Sequence, residues 1–216
     1  MVVSIIIPAL DLKHIPDLTV HIQKSLVCPH EILVQQEKGF VNAVLSGLDR
    51  AQGNVVVIMD SDGSHDPAHL PAMLKILKYG DIVIGSRYAP GGNTEDLIIR
   101  RVVSRFFCKV ARSLLRLDNV SDVMSGYIVV RKEVFRTIKL SSVGYKVGLD
   151  ILLQARGRFR ILECPICFQK SKKGDFVKPS SIKQGLKTLA FIFKLFVKES
   201  VKSHGGQDNR KGRVLV

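Results

Sequence analysis

Short runs of β-branched and aliphatic residues alternate along the chain with longer segments of helical periodicity. Five runs predict strands buried on both faces of a sheet: Val2 to Ile7, Glu31 to Val34, Val55 to Met59, Asp81 to Ile84 and Tyr127 to Val130. Between them, three- and four-residue spacing of apolar positions predicts helices over Pro16 to Leu26, Phe40 to Ala51 and Pro67 to Leu77. This alternation predicts an α/β fold, with a mostly parallel sheet flanked by helices.

Two later segments predict amphipathic helices that are rich in basic residues, from about Leu97 to Leu117 and from about Ser180 to Val201. The basic residues of the first fall along one side: Arg101, Arg105, Lys109, Arg112 and Arg116. A solvated basic face over a packed apolar side is one interpretation of this helix. In the second helix a short apolar run with phenylalanines beside basic residues predicts a helix lying at a membrane interface. We therefore expect three parts, over residues 1–178, 179–202 and 203–216, the last a polar, mobile tail.

The composition is that of a globular protein, with 46% hydrophobic and 24% charged residues, which excludes a disordered, collagen-like or coiled-coil chain. The 33 Lys and Arg against 19 Asp and Glu leave a net charge of +14, so the surface should attract an anion. Nucleic acid, a phosphate-rich small molecule and an acidic membrane all fit that charge. Trp is absent and no RNA-binding aromatic motif or helix-turn-helix signature occurs, so nucleic acid is not the expected partner.

Neither an apolar run of spanning length nor a secretory leader is found, so we expect no transmembrane helix and a location on the cytoplasmic face of a membrane. The four cysteines do not form a disulfide framework. Cys164 and Cys167 lack the second ligand pair that a zinc site needs, so they are predicted to be structural thiols.

The most informative segment runs from Val55 to Pro67 and places two carboxylates directly after a buried strand. Asp60 and Asp62 are two residues apart, followed by Gly63 and then by Pro67 at the start of the next helix. Ligands of open α/β sheets bind at the carboxyl ends of the strands. Two aspartates there, with a diphosphate supplying further oxygens, match what Mg²⁺ or Mn²⁺ accepts, whereas Asp66 is expected to cap the helix.

An ordered series of motifs around this segment resembles the family 2 glycosyltransferases with an A-type nucleotide-sugar fold. The motifs are Gly39-Phe-Val-Asn42-Ala43, the Asp60-Ser-Asp62-x-x-His65-x-Pro67 segment, Gly85-Ser86-Arg87-Tyr88, Arg101-x-x-Ser104-Arg105, Ser121-Asp122-x-x-Ser125-Gly126-Tyr127 and Gly144-Tyr145-Lys146. Within the family, the resemblance is strongest to the polyprenyl-phosphate glycosyltransferases. It implies that residues 1–178 form a nucleotide-sugar glycosyltransferase domain.

The resemblance also implies roles for individual residues. Asp60 and Asp62 would hold the metal, with Ser64 at a third ligand position that is often Gln in relatives, and Arg87 and Arg101 would join the two aspartates as catalytic residues. The acceptor phosphate would meet a second set: Arg101, Ser104, Arg105, Asp122, Ser125, Lys172, Lys173 and Lys178. Guanidinium groups suit these positions because they stay charged and bind phosphate through two nitrogens.

The nucleotide-sugar contacts implied by the resemblance are Pro8, Asp11, Gln35, Gln36, Lys38, Asn42, Ser61, Asp62 and Arg87. Two turns depart from the family pattern. The first strand is followed by Pro8-Ala-Leu-Asp11 instead of an Asn-Glu pair, and Val34 is followed directly by Gln35 and Gln36 instead of an Asp-Asp-Gly-Ser turn. Asp11, Gln35 and Gln36 are the expected substitutes, because amide groups pair with base edges.

The expected activity is transfer of mannose from GDP-mannose to dolichyl or another polyprenyl phosphate, with inversion and with Mg²⁺ or Mn²⁺ as cofactor, by a protein in peripheral contact with a membrane. Two alternatives stay open at this point. In the first, the chain is still a glycosyltransferase, but its donor is another sugar nucleotide such as UDP-glucose or its acceptor is a glycan. In the second, the chain is a non-catalytic, basic module that binds nucleic acid or a membrane.

Overall fold

A computed structural model describes residues 1–140 and 147–169, together with residues 190, 192, 193 and 197. The main strands are β1 (Val3–Pro8), β2 (His30–Gln35), β3 (Val55–Ile58), β4 (Ile82–Ser86), β6 (Ile128–Arg131) and β7 (Ile161–Pro165), and two short strands, β5 (Asn93–Thr94) and β8 (Cys167–Phe168), pair with each other. The helices are α1 (Ile15–Ser25), α2 (Phe40–Arg50), α3 (Leu70–Ile76), α4 (Ile98–Leu115), α5 (Val134–Thr137) and α6 (Val147–Ala155). Short 3-10 turns at Pro67–His69 and Leu77–Tyr79 flank α3.

The six main strands form one mixed sheet in the order β2-β1-β3-β6-β4-β7. Strands β1, β2 and β3 are mutually parallel, as are β4 and β7, whereas β6 is antiparallel to both of its neighbours. The predicted α/β architecture with a mostly parallel sheet is therefore confirmed. The strand at Tyr127 to Val130 was not distinguished from the parallel ones by its sequence, since a fully buried strand of either direction is continuously apolar.

Alternate residues of the strands face two separate cores. Ile6, Val56 and Ile58 face one core, which α4 and α6 help to form, while Ile5, Ile7 and Val57 face the other, beneath α1 and α3. All six side chains are at most 1% exposed. The two-sided burial explains why these strands lack a polar face.

The order of the strands places a crevice beside the first strand. From β1 the chain crosses to β2 on one side and then returns to β3 on the other, so the connections diverge at the carboxyl ends of β1 and β3. In open α/β sheets this divergence is where ligands bind. The segment that follows β3 contains Asp60 and Asp62.

Candidate active site

The loop after β3 is folded by its own side chains. Asp62 accepts hydrogen bonds through Oδ1 from the backbone nitrogen of Ser64, at 3.1 Å, and from its hydroxyl, at 2.6 Å. Gly63 has φ +79°, a conformation that glycine adopts without steric cost. Asp66 caps the next turn by accepting from the nitrogen of Ala68 at 2.9 Å, as the sequence predicts.

His65 lies beneath Asp60 and is buried between two rings. It stacks on Tyr127 with 4.8 Å between ring centroids and meets the edge of Phe168 at 5.5 Å. Its Nδ1 accepts from the backbone nitrogen of Asp60 at 3.0 Å, and its Nε2 lies 3.8 Å from Asp60 Oδ2. Burial lowers the pKa of His65, although the charges of Asp60 and Asp62 oppose that shift. A neutral ring that accepts at Nδ1 carries its proton on Nε2, facing the Asp60 carboxylate.

The carboxylate of Asp60 is open to the crevice, with 39% of its side chain exposed. Gly126 lies beside it: a Cβ there would stand 3.9 Å from each Asp60 carboxylate oxygen, so the missing side chain leaves room next to them. Within the part of the chain that the structure describes, Asp60 and Asp62 are not joined by a further histidine, cysteine or carboxylate in a group of three metal-ligating side chains. An exposed carboxylate beside open space fits a hard divalent cation that takes its remaining oxygens from a substrate.

Ser64 is almost fully buried and its hydroxyl donates to Asp62, so in this structure it orients Asp62. Its predicted contact with the metal stays a prediction. Ser61, also predicted at the donor site, is buried in the same loop.

Arg87 follows β4 and is held by a buried carboxylate. Its Nε donates to Asp122 Oδ2 at 2.7 Å and its Nη2 to Oδ1 at 2.9 Å, and the two side chains are 11% and 0% exposed. Burial by itself lowers the pKa of Arg87, but the hydrogen bonds and charge of Asp122 outweigh it and the pKa is raised. The guanidinium lies 5.0 Å from the ring centroid of Tyr88 and 5.3 Å from that of Phe168.

The predicted acceptor residues Asp122 and Ser125 face into the protein. Asp122 binds Arg87, and Ser125 donates to the carbonyl oxygen of Gly85 at 2.7 Å, at the end of β4. Both side chains are buried, so in this structure they support the strand end and Arg87 from below. Their predicted contact with the acceptor stays a prediction.

The remaining acceptor candidates within the described residues lie on α4. Arg101 donates from Nη2 to the carbonyl oxygen of Thr94 at 2.7 Å, and its buried Nε has no hydrogen-bond partner among the described residues. Arg105 is exposed and places its guanidinium 5.0 Å from the ring centroid of Tyr88, the ring that Arg87 also contacts. Ser104, which lies between Arg101 and Arg105 in the sequence, is half-buried. Burial raises the pKa of Tyr88, while Arg87 and Ser104 oppose the shift.

The other predicted nucleotide-binding residues lie at or beyond the carboxyl ends of β1 and β2. Pro8 and Gln35 are partners in the parallel register. Gln35 is buried; its Oε1 accepts from the Ser46 hydroxyl at 3.1 Å, whereas its Nε2 has no hydrogen-bond partner among the described residues. Gln36, Lys38 and Asn42 are exposed beyond β2, and Asp11 is exposed beyond β1.

Two residues at the end of β8 join this site without having been singled out by the sequence. Phe168 contacts both His65 and Arg87. Gln169 donates from its backbone nitrogen to the carbonyl oxygen of Ser64 at 3.0 Å and from Nε2 to Asp66 Oδ2 at 2.8 Å. Phe168 is the last residue of β8 and Gln169 follows it, and no motif marks either residue in the sequence.

Some predicted site residues lie outside the described residues: Lys172, Lys173 and Lys178, the motif at 144–146, and most of the helix predicted over 179–202. Of that helix, Ile192 is buried in one of the two cores, while Phe193 and Val197 are exposed. Among the described residues, no helix combines the length and the apolarity required to cross a bilayer.

The comparisons with known proteins agree with this arrangement. The sequence model of the family described as "Glycosyl transferase family 2" matches residues 13–139. The dolichol-phosphate mannosyltransferase of Pyrococcus furiosus is 35% identical over 144 residues, which cover 65% of this chain and 40% of that protein. The polyprenol monophosphomannose synthase of Mycolicibacterium smegmatis is 37% identical over 145 residues, covering 63% of this chain and 54% of that protein. The match thus spans about half the length of these relatives.

Solved structures match in fold. The glucosyl-3-phosphoglycerate synthase of Mycobacterium tuberculosis bound to UDP has a TM-score of 0.66 at 16% identity, over 90% of this chain and 80% of that one. The same enzyme with Mn²⁺, UDP-glucose and phosphoglyceric acid has a TM-score of 0.63 at 16% identity, over 88% and 79%. At this identity the likeness establishes the fold.

Proposed function

Because the chain belongs to glycosyl transferase family 2, we propose that it transfers mannose from GDP-mannose to a polyprenyl phosphate, with inversion at the anomeric carbon and with Mg²⁺ or Mn²⁺ on the donor diphosphate. The mannosyltransferase names of the relatives support the sugar and the lipid acceptor. The observation that carries the proposal is the placement of Asp60 and Asp62 at the crevice between β1 and β3.

The carboxylates of the loop after β3 would bind the donor at its diphosphate. Asp60 presents an exposed carboxylate beside Gly126, and Asp62 is held in place by Ser64. A bound divalent cation supplies stabilisation of the negative charge that develops on the departing nucleoside diphosphate. His65 packs beneath this carboxylate, with its Nε2 at 3.8 Å from Asp60 Oδ2.

The acceptor needs positioning more than activation. A phosphate monoester has its second pKa near about 6, so it is mostly dianionic at neutral pH and needs no strong general base. Its charge must instead be brought close to a second anion, and this requires fixed cations. We assign that role to Arg87 and Arg105, which flank Tyr88, together with Arg101 one turn earlier on α4.

A lipid acceptor requires the enzyme to work at a membrane. The net charge of +14 favours an anionic lipid surface. We therefore propose peripheral attachment at the cytoplasmic face.

A donor and acceptor panel tests this function. The purified chain with Mn²⁺ is incubated with labelled GDP-mannose, UDP-glucose and GDP-glucose, each against a polyprenyl phosphate and a soluble glycan, and the label in the lipid phase and on the glycan is counted separately. We expect label only from GDP-mannose with the polyprenyl phosphate. Asp62→Asn should lower that transfer by about a hundredfold or more, and Asp66→Asn, in the same loop but at the helix cap, should keep it. Label from another donor, or on the glycan alone, would refute the proposed substrates.

A further inference from the structure

The long helix α4 turns an apolar face to solvent. One interpretation of its sequence was a basic outer side over a packed apolar one, but the buried residues of α4 are only Cys108, Ala111 and Leu115. Six larger apolar side chains are between 39% and 77% exposed: Ile98, Ile99, Val102, Val103, Phe106 and Leu114. A contiguous exposed apolar face of this kind marks an interaction surface in a soluble protein.

The spacing of these residues defines three strips around α4. At 100° per residue, the exposed apolar residues fill one broad side, opposite the buried Cys108, Ala111 and Leu115. Arg105, which is exposed, lies at the border between the apolar face and the buried side, and Lys109, also exposed, lies at the adjoining edge of the apolar face. With 18 residues, α4 is about 27 Å long. An apolar side bordered by cations is the pattern of a helix that lies in a membrane interface.

The charge of the chain favours a lipid surface over a second copy. A symmetric contact through α4 would bring the same basic border from two chains of net charge +14 together. An anionic bilayer instead attracts those cations while it accepts the apolar side chains. The apolar face is also continuous with the proposed acceptor site, because Arg105 contacts the Tyr88 ring that Arg87 contacts from the strand end.

We propose that α4 docks the protein on an anionic bilayer, with its apolar face at the boundary between headgroups and acyl chains. Arg105 and Lys109 then lie among the headgroups, and the Arg105–Tyr88–Arg87 cluster is held at the depth of a lipid phosphate. The link to catalysis rests on the proposed function; the docking itself does not. This assigns attachment to α4, a segment other than the helix predicted over 179–202.

The double variant Val102→Glu/Phe106→Glu tests the docking. A matched control, Val20→Glu/Val27→Glu, places the same charges at exposed apolar positions on and after α1. Flotation with phosphatidylcholine vesicles containing about a third phosphatidylglycerol should show wild-type binding that falls about tenfold or more in the α4 variant and changes less than about twofold in the control. A serine pair, Val102→Ser/Phe106→Ser, should weaken binding in the same direction without added charge. Thermal unfolding checks that the variants fold.

Transfer assays separate the docking from the chemistry. With a short, water-soluble prenyl phosphate the α4 variant should keep wild-type turnover, and with a long-chain acceptor in vesicles it should lose activity in proportion to its lost binding. Equal vesicle binding by wild type and both α4 variants would overturn the docking. So would a wild-type dimer that dissociates in the α4 variant while vesicle binding persists, since the face would then join two copies. A wild type that binds vesicles through α4 but transfers no sugar would uphold the docking and refute the proposed function.

Discussion

Arg87 and Asp122 form a buried two-point ion pair, with Nε–Oδ2 and Nη2–Oδ1 distances of 2.7 and 2.9 Å. The backbone nitrogen of Asp122 also donates to Glu163 Oε1 at 3.0 Å, and Glu163 lies on β7, the strand beside β4. The pair fixes the guanidinium at the carboxyl end of β4, where it also packs against the rings of Tyr88 and Phe168. Arg87 is therefore pre-positioned before any anion binds.

Replacing Asp122 by Asn should destabilise the protein strongly. The amide keeps the shape of the side chain but leaves a buried guanidinium without its counter-charge, which costs about 3–5 kcal/mol. Urea unfolding measures this loss. Asp118→Asn, at an exposed position four residues earlier, should change the free energy of unfolding by less than about 0.5 kcal/mol. A similarly small change for Asp122→Asn would mean that the ion pair does not contribute as the geometry indicates.

Replacing Gly126 by Ala should affect ligand binding more than folding. The added methyl group would stand 3.5 Å from His65 Cε1 and 3.9 Å from both Asp60 oxygens, which are ordinary contact distances. It would occupy the open space beside the carboxylate, so we expect weaker Mn²⁺-dependent binding of nucleoside diphosphate with little change in the unfolding midpoint.

Gly148→Ala provides the contrast. Its Cβ would lie 2.5 Å from the carbonyl oxygen of Ser125, a clash with backbone that must be relieved by movement. This variant should lower the unfolding midpoint clearly. If Gly126→Ala were the more destabilised of the two, the space beside Asp60 would be a folding requirement and not a binding site.

The positions of the strands followed from the sequence because two-sided burial makes them continuously apolar. The loop after β3 followed for the same reason, since Asp60 and Asp62 come directly after such a strand. Several elements were missed, among them β7 and α6. The strand β7, Ile161–Pro165, contains Glu163 and lies at the edge of the sheet, whereas α6 is buried along nearly its whole length and so has no polar face to reveal its period.

Contacts between residues far apart in the sequence were not predicted either. Arg87 and Asp122 are 35 residues apart, and Gln169 and Asp66 are 103 residues apart. The sequence of α4 showed an apolar and a basic side, but it did not show which side packs against the protein. The small side chains of Cys108 and Ala111 let α4 approach the rest of the protein closely. Which side of the helix packs depends on the shape of the protein surface that it covers.

Glu31 should make stability depend on acidic pH. It accepts from the Ser4 hydroxyl and from the backbone nitrogen of Gln52, both at 2.6 Å. Partial burial raises the pKa of Glu31, but these hydrogen bonds and the charge of Lys132 outweigh it, so the pKa lies below its ordinary value of 4.5. A lowered pKa contributes stability above pH 4.5, and that contribution is lost as the pH falls through the folded-state value.

The measurement is urea unfolding of wild type and Glu31→Gln at neutral pH and near pH 3 to 4. We expect Glu31→Gln to be the less stable at neutral pH and the difference to narrow in acid. Glu133→Gln, on the turn before α5, is a control that should show no such convergence. A constant difference across the pH range would show that the charge on Glu31 is not what stabilises these contacts.

Calorimetric titration of GDP with and without Mn²⁺ tests most directly the proposal that Asp60 and Asp62 bind the metal. Wild type and Asp66→Asn should bind GDP about tenfold more tightly or better when Mn²⁺ is present, whereas Asp62→Asn should bind it with the same affinity in both conditions. The same gain from Mn²⁺ in Asp62→Asn as in wild type would contradict the assignment of the donor diphosphate and its cation to the loop after β3.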